Sequence, residues 1–198
     1  MSMEQPIGFG VDEGWFAGED KTFRFYVGTG EVVETRETAQ KDATQILVKP
    51  LKEALISGAK VRFNAGGDGG AGVLATLSSA AAVGDMTLAV TALPGAVQAT
   101  HKGYRVDNVN GFALAWTVRE GAYESAPVLI TKSGASVIIV DGPEGVVDVV
   151  TVDDDTVDGT GALLLPPGTY QHALKRTDGG AETVLAYGPA KLQLSAAR

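Results

Sequence analysis

Apolar and polar residues alternate with a period of two along much of this chain, and that period belongs to half-buried strands. In the segment Phe112–Val118, Phe112, Leu114, Trp116 and Val118 fall on one face. Phe23 and Phe25 share a face of Lys21–Val27 in the same way. Further short strands are predicted at Val128–Thr131, Val137–Val140, Val146–Val152, Tyr170–Lys175, Thr183–Tyr187 and Lys191–Leu194. Turn signals stand between them at Ser133-Gly134, Asp141-Gly142-Pro143, Asp158-Gly159, Pro166-Pro167-Gly168 and Asp178-Gly179-Gly180. Short strands evenly spaced by such punctuation predict a sandwich or barrel.

The texture changes between Gln45 and Tyr104. Ile46–Val48, Val61–Phe63, Val73–Leu77 and Met86–Val90 are strand candidates. Pro50–Ser57 predicts a two-turn helix, with Pro at its start and Gly58 as its stop. Ala80–Val83 suggests one helical turn. No fixed-period internal repeat is visible. The first twenty residues are glycine-rich and irregular yet carry Phe9, Trp15 and Phe16. A solvated arm would not usually expose three such side chains, so two expectations stand side by side. The arm docks into a partner's groove, or its aromatics cover the chain's own sandwich.

Composition narrows the class. Twenty-three valines against sixteen leucines favour strands over helices. A net charge of −8 gives no counterion-release advantage on a polyanion, so nucleic acid is not an expected partner. The absence of cysteine removes thiolate catalysis, disulfides and finger-type zinc. Met1–Pro6 lacks the basic and apolar regions of a signal peptide, and no apolar run reaches transmembrane length, so no membrane partner is expected.

The order of features from Asn108 to Leu194 resembles an immunoglobulin-like module of tailed bacteriophages, similar to the N-terminal domain of baseplate upper proteins and to small head-tail region proteins. Val109–Arg119, Leu129–Lys132, Val137–Val140, Val149–Thr156, Leu165–Arg176 and Glu182–Pro189 carry the resemblance, with Lys21–Val27 as the strand that precedes the block. It implies an all-β chain: an immunoglobulin-like β-sandwich formed by residues 21–44 and 105–198, an N-terminal arm over 1–20, and a small β-rich subdomain inserted over 45–104. It also implies a virion structural protein without catalytic residues, acting as a docking, decoration or adaptor protein on the head or head-tail region. Its partners would be capsid, neck or tail proteins and copies of itself. The alternatives are a tail-tip or baseplate component and a carbohydrate-binding module, for which Tyr104, Tyr123 and Tyr187 are the available sugar-platform residues.

Candidate chemistry is sparse. Gly66–Gly72 lacks the Gly-Lys-Ser/Thr ending of a phosphate loop and lies between predicted strands, and Gly28-Thr29-Gly30 reads as a turn. Asp154, Thr156, Asp158 and Gly159 match the first, third, fifth and sixth positions of a calcium loop, but Leu165 occupies the twelfth. Asp154 and Asp158 are therefore weak metal candidates, and neither metal nor other cofactor is expected. His101 and His172 are the only histidines; His172 is expected at the surface or in a cross-strand contact. Trp116 reads as core filler. Tyr170 after Pro166-Pro167-Gly168-Thr169 resembles a tyrosine corner, with its hydroxyl bonded back to nearby backbone. Neither a Gly-x-Ser-x-Gly nor a His-Glu-x-x-His motif is present, and no enzymatic activity is expected.

Overall fold

The computed structural model describes residues 15–63, 72–121, 125–178 and 183–194. Within them the chain is all-β: fourteen strands, two three-residue 3-10 turns at Gly134–Ser136 and Asp153–Asp155, and no α-helix. The strands are β1 (Trp15–Phe16), β2 (Lys21–Tyr26), β3 (Gly28–Glu34), β4 (Gln45–Leu47), β5 (Lys60–Phe63), β6 (Val73–Thr76) and β7 (Thr87–Ala89). They continue as β8 (Lys102–Val106), β9 (Leu114–Arg119), β10 (Val128–Ser133), β11 (Val137–Asp141), β12 (Val146–Thr151), β13 (Gly168–Arg176) and β14 (Thr183–Gln193).

Two sheets enclose a first core. One has the order β1-β14-β13-β9-β10, the other β11-β12-β2. The alternation read from the sequence is what fills the space between them: Phe23 and Phe25 from β2, Val147 and Val149 from β12, Leu114, Trp116 and Val118 from β9, and Leu174 from β13. This arrangement is a sandwich. Phe112 falls outside β9, in the turn before it, where the Arg176 guanidinium lies 3.8 Å from its ring centroid. On the outer face of β2 and β12, Arg24 and Asp148 stand opposite each other and form a bidentate pair with both hydrogen bonds at 2.7 Å.

The two strands predicted over 183–194 are one continuous strand, β14. Gly188 and Pro189 look like breakers in sequence, yet they pair with His172 and Gln171 of β13. On its other side, among the described residues, β14 is paired at Leu192 and Gln193 by β1, and Pro189, with no N–H to donate, has no described ladder partner there.

A second core lies between β2 and β9 in the chain. Its sheets are β3-β8-β5-β6 and β4-β7. Val32, Val33, Ile46, Val48, Leu51, Leu55, Val61, Phe63, Leu77, Leu88, Val90, Leu93 and Val97 are buried there. The partition by core differs from the expected boundaries at 45 and 104. β3 pairs with β8 in a ladder that starts at Gly28 and Val106, so residues 28–44 belong to the second unit and not to the sandwich. Polar residues between buried Val32, Val33 and Ala39 hid this in the sequence.

The helix predicted over Pro50–Ser57 does not form, nor does the helical turn at Ala80–Val83. These segments instead bond each other. Leu55 and Ala81 exchange two N–H···O bonds of 2.8 Å, and Leu51 N donates to Asp85 O. Long-range partners for the backbone outcompete a local helical preference that is weak in a segment this short. The expectation of no repeat is also overturned. The isolated bridge Thr35–Val48 recurs as Leu77–Val90, and Ala39–Val97 recurs as Leu55–Ala81, all related by an offset of 42 residues.

The turn between β11 and β12 meets the chain where it passes between the two units. Val27 N donates to Gly145 O at 2.7 Å, and Val109 N to Gly142 O at 2.9 Å. From the second unit, Arg62 donates to Glu144 O at 3.1 Å while its guanidinium lies 4.5 Å from the Tyr26 ring centroid. Lys60 forms an ion pair with the Glu144 carboxylate at 3.1 Å.

Candidate functional site

Of the three aromatics expected to dock, Phe9 lies outside the described residues. Trp15 is only 1% exposed and belongs to the sandwich core, as the second of the two expectations for the arm has it. Its short strand runs parallel to β14, with Trp15 opposite Leu192, and Ala17 N extends the pairing to Gln193 O at 2.9 Å. Gly18 N then donates to Thr156 Oγ1 at 2.8 Å. Phe16, on the opposite side of a two-residue strand, is half-buried. The part of the arm from Trp15 to Asp20 is thus a piece of the sandwich, because the indole gains more from the core than its glycine-rich flanks lose on ordering.

The indole joins an aromatic cluster at the centre of the core. Trp15 meets Phe23 edge-on at 5.5 Å and Trp116 at 6.4 Å, and Phe23 stacks on Trp116 at 5.5 Å. His172 completes the group, with ring contacts to Phe23, Phe25 and Trp116. It is buried, which corrects the surface half of the expectation, while its contact with Trp116 on the paired strand β9 bears out the cross-strand half. Trp116 Nε1–H donates to His172 Nδ1 at 3.1 Å, so the neutral ring keeps its proton on Nε2. Burial among apolar rings pushes its pKa down to about 3. That geometry cross-links β9 to β13, a structural role for a residue type that elsewhere serves as a base.

A pH dependence follows. The unfolded chain takes up a proton on this imidazole near pH 6.5 and the folded chain does so near pH 3, so between those values the unfolded state binds more protons. Stability therefore falls as pH is lowered through that window. Between pH 8 and pH 5 the loss from this residue is roughly 2 kcal/mol. Urea melts at pH 8, 6 and 5 should show this loss, and His172→Gln should remove the slope whatever its own absolute stability. The carboxylates held low by hydrogen bonds, Glu31 with Lys52 and Lys102, Asp178 with Arg176 and Asp158 with Thr160, lose their contribution mainly below pH 5, under the lowest of these three melts. A wild-type slope that persists unchanged in His172→Gln would assign it elsewhere.

Of the two candidate calcium-loop aspartates, Asp154 is exposed and Asp158 is occupied by its own loop. Asp158 Oδ1 accepts hydrogen bonds from Thr160 N, Thr160 Oγ1 and Ala162 N at 2.9, 2.7 and 2.9 Å, and these bonds hold its pKa below the usual value. Next to Asp154, Asp155 accepts from Val152 N at 2.8 Å and pairs with Lys132 at 2.6 Å. Asp153 N is capped by Asp20 at 2.9 Å. Asx turns of this kind close a loop without a cation. Among the described residues no three His, Asp or Glu side chains converge as a metal site requires. Among the same residues no helix is long and apolar enough to cross a membrane.

The two described sugar-platform tyrosines lie in different sheets. Tyr104 lies on β8 of the second unit and Tyr187 on β14 of the sandwich, while Tyr123 is outside the described residues. Among the described residues, strand edges offer one candidate interaction surface. β10 and β11 each end a sheet, follow one another through the turn at Gly134–Ser136, and expose Val128, Ile138 and Val140. Sequence reasoning missed these residues because alternation tells which face of a strand is buried but not which strand lies at an edge. No family model matches the chain, and no curated protein matches it.

Proposed function

We propose that this protein is a non-catalytic structural subunit of a tailed-phage particle, docked on the head or head-tail region through strand edges and side-chain complementarity. The sandwich is, in this reading, an immunoglobulin-like module. The observation that carries it is the layout of the sandwich. A central β9 bears a buried Trp116, the sheets are ordered β1-β14-β13-β9-β10 and β11-β12-β2, and the Tyr170 hydroxyl donates to Pro166 O four residues back. A tryptophan on the third main strand and a tyrosine corner at the entry to the penultimate one are hallmarks of such sandwiches. The phage assignment rests on the resemblance of residues 108–194. The edges β10 and β11, with their exposed valines and isoleucine, supply a docking mode that needs only backbone pairing and apolar contact.

Antibodies against the purified chain, applied to tailed particles induced from the source strain and imaged by immunogold microscopy, test this reading. Label on heads or necks is the expected result. Label at the tail tip would move the protein to the baseplate, and particles without the chain by mass spectrometry would overturn the proposal.

A further inference from the structure

The offset of 42 residues extends far beyond these two pairs of bridges. Val48 N donates to Met86 O, and 42 residues on Val90 N donates back to Thr44 O, the residue 42 before Met86. The same exchange relates Leu51 N→Asp85 O to Leu93 N→Ala43 O, and Gly58 N→Leu77 O to Thr100 N→Thr35 O. It relates Asp42 N→Leu93 O to Gly84 N→Leu51 O. Left-handed backbone follows the rule as well: Asp42 and Gly84 have φ of 67° and 89°, and Gly58 and Thr100 have 82° and 66°. So does burial. Ile46, Val48, Leu51 and Leu55 correspond to Leu88, Val90, Leu93 and Val97, and all eight are 3% exposed or less.

The ladders show what kind of repeat this is. β4 pairs with β7 through Gln45–Ala89 and Leu47–Thr87, and adding 42 to one pair yields the other with its partners exchanged. β5 and β8 pair through Val61–Arg105 and Phe63–Gly103 in the same self-complementary way. β3–β8 and β5–β6 are equivalent to one another. Every ladder in the unit thus joins one half to the other, as across the two-fold axis of an isologous dimer. An isolated half would keep a single bridge and no closed core.

We infer that residues 31–105 are two copies of one β unit fused in tandem, each copy being the other's folding partner, so that this part of the chain is a homodimer made covalent. At one end of the pseudo-dimer the chain enters at Gly28 and leaves at Val106 toward the sandwich. At the equivalent end Phe63 and Val73 pair. The halves have diverged where the sandwich touches only one of them. Lys60 and Arg62 grip Glu144, whereas their counterparts Lys102 and Tyr104 do not share that contact, and Lys102 pairs with Glu31 instead. At the centre Val61 and Gly103 are counterparts, and a Cβ on Gly103 would lie 2.7 Å from Phe63, so the larger ring on one copy is matched by the missing side chain on the other.

The test is made in the full chain by transplanting Ile46–Leu55 onto positions 88–97, which carries Ile, Val, Leu and Leu to the four buried sites. A second version keeps Val97, removing the one added methylene. The control transplants 45–54 onto the same positions, one residue out of register. Both in-register chains should melt in one cooperative transition within about 8 °C of the parent, and the control should melt at least about 20 °C lower. In-register chains as unstable as the control would overturn the inference. Equal tolerance of all three would do so too, because equivalence of the halves requires that register matter.

Discussion

Trp15→Ala is expected to destabilise the protein by roughly 3–5 kcal/mol, the cost of removing a fully buried large aromatic and leaving a cavity. For a chain of this size that is a drop of about 10–15 °C in melting temperature. Three losses act together. The indole gives up its edge contact with Phe23 at 5.5 Å and its contact with Trp116 at 6.4 Å. The two-residue strand loses its anchor against Leu192 of β14. The chain that carries Ala17 N to Gln193 O and Gly18 N to Thr156 Oγ1 then has less reason to stay ordered. Trp15→Phe separates ring from polar handle. Nε1 is buried without a hydrogen-bond partner among the described residues, so phenylalanine keeps most of the packing and removes an unsatisfied donor. Its cost should stay below about 1.5 kcal/mol. If the segment served a partner instead of the core, Trp15→Ala would leave the melt unchanged and abolish attachment to particles.

This residue also marks where sequence stops being informative. Trp15 and Phe16 sit between Gly14 and Gly18 with no alternating neighbours, and a two-residue parallel strand leaves no periodic trace. The long strands of the sandwich did leave one. Leu114, Trp116 and Val118 are buried on one face as the pattern requires, and Tyr170 was legible because Pro166-Pro167-Gly168 sets the turn that its hydroxyl closes. His172 shares that alternating face of β13, but a polar side chain there reads equally as exposed or as a cross-strand contact until its partner Trp116 is known.

The second unit was harder for a different reason. Its repeat survives mainly at buried sites and in backbone geometry, while most polar positions between them have changed: Lys49, Lys52 and Glu53 in one copy correspond to Thr91, Pro94 and Gly95 in the other. Pro50–Ser57 has the composition of a helix start, and the competing partner, Ala81, is 26 residues beyond Leu55 in the chain. Local propensity cannot see that competition. The strand edges proposed for docking were the least legible, since edge position is a property of the assembled sheets.

Gly145→Ala should be the most damaging single methyl in the sandwich, costing roughly 3 kcal/mol or more. Gly145 has φ of +64°, a left-handed conformation that strains any residue with a Cβ. Its surroundings leave no room either. The added carbon would collide with the carbonyl oxygen of Val27 and lie 2.9 Å from that of Asp107, both of them backbone and unable to rotate away. Those two residues are where the chain leaves the sandwich and where it returns from the second unit. The same turn receives the 2.7 Å bond from Val27 N. Relief would have to come from parting strands at that crossing, which also carries the Arg62 and Lys60 contacts to Glu144. Gly134→Ala is the matched comparison. Gly134 has φ of +57° and nothing within 4 Å of the place a Cβ would take, so it should bear only the conformational cost of about 1–2 kcal/mol. Denaturant melts of the two variants measure the difference directly. Equal losses would mean that the contacts at the crossing contribute nothing and that φ alone explains both; a loss at least twice as large for Gly145→Ala would locate the join between the two units at this turn.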